Sequence, residues 1–212
     1  MNNFSLEGSI LKRLEAPAAV VGIDEVGNGA WAGPLVAGAV VLPRGKLRGL
    51  YAEIKDSKRM SARRREEVAK RIKEVASVCA VRAIMPWEID ADGFSTARTR
   101  VIALAFLIVR EAMPEHKLAA ILDGRDLRRL AAELHPESQA VNRADGTSIS
   151  VAAASIIAKV ARDRLMYAYA ELFPGYGFDT NVGYGTAEHR KGLKLYGPTA
   201  IHRMSVKPVA RA

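Results

Sequence analysis

The sequence is poor in the residues that define several kinds of protein. Among 212 residues there is one cysteine, Cys79. A single cysteine cannot close an internal disulfide, so a secreted disulfide scaffold is excluded and a reducing compartment fits better. Four histidines and that cysteine show no zinc-ligand spacing. Long apolar runs are also missing. The longest, Val101 to Val109, is nine residues between Arg100 and Arg110, whereas a membrane helix needs about 18 or more. The opening stretch, MNNFSLEGSILKRLEAPAA, has no apolar segment followed by a cleavage site. The expectation is a soluble, cytoplasmic protein without a membrane partner. Phosphate-binding glycine signatures are lacking too. No G-x-x-x-x-G-K-[ST] occurs, and Gly27, Gly29 and Gly33 read G-x-G-x-x-x-G, which is not the dinucleotide fingerprint. Repeats, linkers and low-complexity stretches are not visible.

What is present is an ordinary globular composition with an uneven charge. Apolar residues make up 49% and charged residues 26%, enough for one domain with a real core. Lys and Arg number 32 against 23 Asp and Glu, a net of +9. Residues 44–82 hold thirteen basic and five acidic residues, a net of +8. Residues 189–212 hold six basic residues and no acid, a net of +6, which leaves −5 for the rest. Two basic segments around an acidic remainder suit a polyanionic partner, although a run such as Arg63, Arg64, Arg65, Lys70, Arg71 and Lys73 also reads as a solvated helix face.

Periodicity and punctuation give the elements. Helices are expected over Ser5 to Glu15, Ser61 to Ala76, Thr96 to Met113, Leu127 to Leu134, Ser148 to Leu172 and Thr186 to Leu195, with Ser61 as an N-cap. Strands are expected over Ala18 to Ile23, Leu35 to Leu42, Ser77 to Met85, Leu118 to Leu122 and Ser138 to Asn142. Three early strands followed by alternating helices and strands predict an α/β protein built on one mixed sheet.

The carboxylates carry the chemistry. Asp24 and Glu25 lie where the first strand meets the glycine-rich loop DEVGNGAWAGP. Asp123 ends the fourth strand before Gly124, and Asp145 follows the fifth in RADG. Acids at strand ends can project into one cleft, where they repel one another and raise each other's pKa. Oxygen-only ligands then suit Mg²⁺ or Mn²⁺. Two such ions about 4 Å apart activate water and stabilise the leaving oxygen of a phosphodiester. Neighbours on a regular strand point to opposite faces, so Asp24 and Glu25 converge only if the strand bends. Each acid also reads as a simple turn residue. Ser57 with Asp24 or His189 lacks any pairing that would make a hydrolase triad. Tyr176, Tyr184 and Tyr196 could stack on a base or sugar or pack on the surface, and His202-Arg203 could meet phosphate or be solvated.

Five segments in order, GIDEVGNGAWAGPLVAGAVVLP (22–43), DSKRMS (56–61), ILDG (121–124), ISVAAASIIAKVARDRLM (149–166) and FPGYGFDTNVGYGTAEH…YGPTAIHRMS (173–205), resemble bacterial ribonuclease HII over nearly the whole chain. The resemblance implies a ribonuclease H-like fold: a mixed five-stranded sheet with helices on both faces, in a single catalytic domain over 1–212. Residues 173–212 would form a short helical, substrate-binding C-terminal part. It implies an endonuclease that cuts the RNA strand of RNA–DNA hybrids and incises 5′ of ribonucleotides embedded in duplex DNA. The products would carry 3′-hydroxyl and 5′-phosphate ends. By two-metal-ion catalysis with Mn²⁺ or Mg²⁺, the metal-binding acids would be Asp24, Glu25, Asp123 and Asp145, with Asp163 a less favoured fourth acid. Gly27, Asn28, Gly29 and Tyr184 would read the ribose 2′-hydroxyl, the feature that separates RNA from DNA. Ser57, Lys58, Ser155 and Lys159 would lie near substrate phosphates.

Three positions depart from the family pattern. Asn28 stands for an arginine and cannot reproduce its fork to phosphate. Arg143 stands for a lysine, and Val182 stands where a lysine is common. None is a metal ligand, so an active enzyme is expected; a monomer is expected too, and no Q-x-x-L-x-x-F-F clamp-binding motif is visible. A hybrid-binding protein with decayed catalysis, motivated by Asn28, and a different metal nuclease on the same fold are the rival readings.

Overall fold

The computed structural model describes residues 5–43, 45, 49–55 and 60–212, with Lys55 described in its backbone alone. The chain runs α1 (Ser5–Leu11), β1 (Ala18–Val26), β2 (Leu35–Val41), α2 (Leu50–Lys55), α3 (Ala62–Val75), β3 (Val78–Ile84), α4 (Pro86–Asp92), α5 (Phe94–Ala112), β4 (Lys117–Asp123), α6 (Arg128–Leu134), β5 (Gln139–Val141), α7 (Ile149–Leu172), α8 (Phe178–Asn181), α9 (Ala187–Tyr196) and α10 (Lys207–Ala210). The five strands form one sheet in the order β3-β2-β1-β4-β5. The β1–β2 and β2–β3 pairs are antiparallel, and the β1–β4 and β4–β5 pairs are parallel. Among the described residues no helix is long and apolar enough to cross a membrane.

The strands form where short apolar runs are bounded by Gly and Pro, and β2 is buried along its whole length because helices cover both faces. On one face α5 packs Val101, Ile102, Ala105, Phe106 and Val109 against Val21, Ile23, Leu35, Ala37 and Ala39. On the other, α7 brings Ala152, Ala153, Ala154, Ile156, Ile157 and Val160 into a cluster with Val40, Ile54, Val68 and Ile72. The second face is unusually close. A Cβ on Gly22 would overlap the backbone of Ser150 and Val151, and one on Gly38 would overlap the Ala154 carbonyl. The helix ends follow their caps: the side chains of Ser61, Ser148 and Thr186 accept from the amides of Arg64, Val151 and His189. At the start of α7, Glu7 of α1 accepts from the hydroxyls of Ser148 (2.7 Å) and Ser150 (2.8 Å), which ties the first helix to the long one.

The C-terminal part closes over the loop between β1 and β2. Trp31 N donates to the Gly183 carbonyl (2.8 Å), Gly33 N to Ile201 (2.8 Å), and Arg203 N back to Trp31 (2.8 Å). Beneath this seam two imidazoles meet, His189 Nε2 and His202 Nε2, 3.0 Å apart and buried. Thr199 N–H donates to His202 Nδ1 (2.9 Å), so the His202 proton sits on Nε2 and is donated to His189. The His189 proton is then on Nδ1, facing the Tyr184 carbonyl at 3.0 Å. Only the doubly neutral pair satisfies this chain. Burial, with the neighbouring His189, pulls His202 down to about 4, and burial lowers His189. His202 and Arg203 are thus interior groups, contrary to the expectation of surface residues.

Two outcomes follow. Gly38→Val is expected to cost about 2–3 kcal/mol of stability by overpacking, read as a lower urea midpoint. Because the folded pKa of His202 is depressed, its contribution is complete above pH 6.5 and is lost as pH falls toward 4. Urea unfolding of the wild type between pH 7 and 4.5 should therefore lose stability more steeply than that of His202→Gln.

Candidate active site

The acids gather at the C-terminal ends of the two central parallel strands. Ile23 pairs with Leu122, so the next residues, Asp24 and Asp123, come side by side where β1 and β4 end their ladder. β1 stays regular through Val26, since Asp24, Glu25 and Val26 still pair with Gly38, Ala37 and Val36. The strand therefore does not bend to bring the adjacent acids together. Asp24 lies on the α7 face, where Ser155 hydrogen-bonds it. Glu25 lies on the α5 face, where Arg98 Nε donates to Oε1 at 2.6 Å. Asn28 Nδ2 donates to the same oxygen at 2.9 Å, and Glu25 Oε2 is buried with no partner. Asp123 Oδ1 accepts from Ala144 N (2.8 Å), which fixes the turn carrying Asp145 against the end of β4. Asp145 lines a small cavity at the start of α7 with Tyr51, Thr147 and Ser148.

This geometry loads the site with charge. Asp24 is pushed up from 3.8 to about 7, first by burial and then by Glu25 and Asp123, with the Ser155 hydrogen bond opposing. Among the described residues no three His, Cys, Asp or Glu side chains stand close enough to share an ion. The strand alternation and Arg98 account for that, because they direct Glu25 to the other face. The donor set nevertheless fits a hard divalent cation: oxygen ligands only, a carboxyl raised toward neutrality by burial and then by its acidic neighbours, and an orphaned carboxylate oxygen.

The loop after β1 lies beside the Tyr184 segment, with Trp31 N bonded to the Gly183 carbonyl. Gly27 has φ +97°, and a Cβ there would strike Arg162 and the Pro34 carbonyl. A Cβ on Gly29 would lie 3.8 Å from the Tyr184 ring. Tyr184 is partly exposed, and the Arg162 guanidinium sits 5.6 Å from its ring centroid. Ser155 reaches Asp24, whereas Lys159 pairs with Asp163, which Arg65 also approaches at 3.8 Å. Ser57 and Lys58 lie outside the described residues. The two departures Arg143 and Val182 are the two described non-glycine residues with positive φ, +53° and +43°, a strain that concentrates at functional loops.

Sequence reasoning missed the arginines. Arg162 donates to the carbonyls of Pro34, Val182 and Ala32, and Arg203 to those of Gly33 and Gly27. Both are buried and hold the loop between β1 and β2 from beneath. Arg98 stands 73 residues from Glu25. No local pattern marks any of the three.

The sheet order and the acids at its central strand ends define a hydrolase of the ribonuclease H class. The family model for ribonuclease HII matches residues 21–209. Ribonuclease HII of Thermus thermophilus is 42% identical over 204 residues, covering 94% of each chain. The crystal structure of ribonuclease H2 from Pyrococcus horikoshii superposes with a TM-score of 0.75 at 26% identity, over 91% of this chain and 96% of that one. Bst ribonuclease HIII, solved with Mn²⁺, shares the fold at a TM-score of 0.73 and 19% identity, over 97% of this chain and 72% of that one. The chain belongs to the ribonuclease HII family. Ribonuclease H activity on RNA–DNA hybrids goes with that membership, and the family uses divalent metal ions.

Asp24→Asn should stabilise the metal-free protein at pH 8 by about 1–3 kcal/mol, because it removes a buried charge. The raised pKa fixes the sign: wild-type stability from this group is complete below pH 3.8 and falls as pH rises through about 7. Urea denaturation of the pair at pH 5 and pH 8 reads it, the gap widening at pH 8.

Proposed function

We propose that this protein hydrolyses the RNA strand of RNA–DNA hybrids and also cuts 5′ of single ribonucleotides embedded in duplex DNA. It leaves 3′-hydroxyl and 5′-phosphate ends. Asp24, Glu25, Asp123 and Asp145 hold two divalent ions, Mn²⁺ or Mg²⁺. Bound ions would supply the positive charge that steadies the phosphorane-like transition state and acidify the attacking water. Asp24 and Asp123, side by side, face the scissile phosphate. Glu25 and Asp145 complete the ligand shell and orient the water. Ser155 fixes the Asp24 carboxylate through its hydroxyl.

The observation that carries this reading is the bare Gly29 backbone facing the Tyr184 ring, where an added Cβ would lie 3.8 Å from the ring, on the loop that directly follows Asp24 and Glu25. A glycine backbone under an aromatic edge can read one sugar closely, accepting a 2′-hydroxyl and rejecting a bare deoxyribose. Asn28, exposed and bonded to Glu25, contributes to that carboxylate more than to phosphate. The sharp turn at Gly27 keeps its neighbours in place. Residues 173–212 form the substrate-binding part of a single catalytic domain, and the protein acts as a cytoplasmic monomer. Ser57, Lys58 and Lys159 contact the substrate backbone once nucleic acid is bound. The basic segments hold phosphates that the acid cluster alone would repel.

The test uses an end-labelled DNA duplex with one ribonucleotide, an RNA–DNA hybrid and an all-DNA duplex, each with Mn²⁺ and then Mg²⁺. One cut 5′ of the ribonucleotide, and none in DNA, is the expected result. Asp123→Asn should lower cleavage by about 10³-fold or more while leaving binding measurable. Cleavage of the all-DNA duplex would point to a different nuclease. Salt-dependent binding without any product would point to a hybrid binder.

A further inference from the structure

Glu25 already has a cation, and it belongs to the protein. Arg98 leaves the first turns of α5 with its side chain 16% exposed, against 3% for that of Glu25. Its Nε donates to Glu25 Oε1 at 2.6 Å. One terminal nitrogen reaches Asp126, and the other reaches the Asp123 carbonyl at 3.4 Å. A single guanidinium therefore spans β1, the end of β4 and the turn after it. Asn28 adds a second donor to Glu25 Oε1, at 2.9 Å, while Oε2 is buried and bare. A carboxylate with two donors on one oxygen and none on the other is half satisfied. It is poised for a further positive ligand.

We infer that Arg98 is a resident counter-cation that holds Glu25 on the α5 side of the sheet until a divalent ion takes the carboxylate over, and so sets how tightly that ion binds. This rests on the two-metal reading above. In the metal-free protein the ion pair quenches one of the mutually repelling acids. It also explains why no three ligands are preassembled. A divalent ion approaching Oε2 must share Glu25 with a fixed positive charge a few ångströms away, and that repulsion weakens its binding. Asp126, largely exposed and already bonded to Arg98, keeps the guanidinium paired once Glu25 is drawn off. Arg98 is then a positioning residue, acting through Glu25 and needing no contact with substrate.

Mn²⁺ binding to the full chain without nucleic acid, followed by the electron paramagnetic resonance of free Mn²⁺ and by calorimetry, tests the inference. Arg98→Gln removes the charge and is expected to bind Mn²⁺ about tenfold tighter than the wild type. Arg98→Lys keeps the charge and should stay within about twofold. Equal or weaker affinity in Arg98→Gln overturns the proposal. A second measurement needs no charge-removing variant. The Arg98 Nε–H resonance of the wild type, assigned by its loss in Arg98→Lys, should shift and exchange faster with water as Mg²⁺ saturates the protein. An unchanged resonance at saturating Mg²⁺ sinks this proposal alone. If neither ion binds the wild type any better than it binds Asp123→Asn, the two-metal reading fails and takes this proposal with it.

Discussion

The acidic end of the sheet depends on one constraint: the parallel pairing of β1 with β4 under a helix that lies almost on the strand backbone. Parallel pairing places the C-terminal ends of both strands together, which is the only reason Asp24 meets Asp123 across 99 positions of sequence. The pairing is in turn clamped by α7, whose alanines and the bare Cα atoms of Gly22 and Gly38 allow contact at backbone distance. A sheet held this rigidly cannot spread to relieve the repulsion among its acids. The carboxylates stay close, partly desolvated and with Asp24 near neutral, and that stored electrostatic tension suits them to a divalent ion.

Period-two alternation then partitions the acids between two faces. Asp24 and its partner Ser155 belong with α7, Glu25 and Arg98 with α5. The site is therefore built across the rim of the sheet rather than on one side of it. Short links steady it: the Glu25 amide on Asp24 Oδ1 at 2.8 Å joins the two faces, and the Ala144 amide on Asp123 Oδ1 fixes the end of β4. Each link is a backbone donor on a carboxylate oxygen, which steadies a charge without consuming another charged side chain.

Much of this was legible from the residues. All five expected strands are present, and α3, α7 and α9 begin at the capping residues that chemistry favours, Ser61, Ser148 and Thr186, whereas α5 starts at Phe94, two residues ahead of the expected Thr96 and without a side-chain cap. The strand-end acids and the glycine loop could be read because Asp and Gly carry local signals. The resemblance to a family supplied the roles that spacing left open. What could not be read were long-range partners. α4 escaped because PWEIDAD is short and polar, with only Pro86 and Ile89 buried. α2, α8 and α10 are shorter still. Arg203 looked solvated because arginine usually is, yet it is 1% exposed and bonded to loop carbonyls. Arg98 sits in an apolar helix whose sequence says nothing about which strand end it will face.

The buried arginines have a consequence for how the protein is made. Arg203 Nη1 donates to the Gly27 carbonyl across 176 residues, and Arg162 to that of Pro34 across 128. During synthesis the glycine loop leaves the ribosome well before the groups that pin it. A nascent chain can pair its five strands before this loop is fixed, since domains acquire structure from the N-terminus as they emerge. The final conformation of the loop therefore waits on α7 and the C-terminal part. All four acids, the last at position 145, are translated before Arg162 and Arg203, so the acids and the loop that flanks them become ordered in separate stages of synthesis.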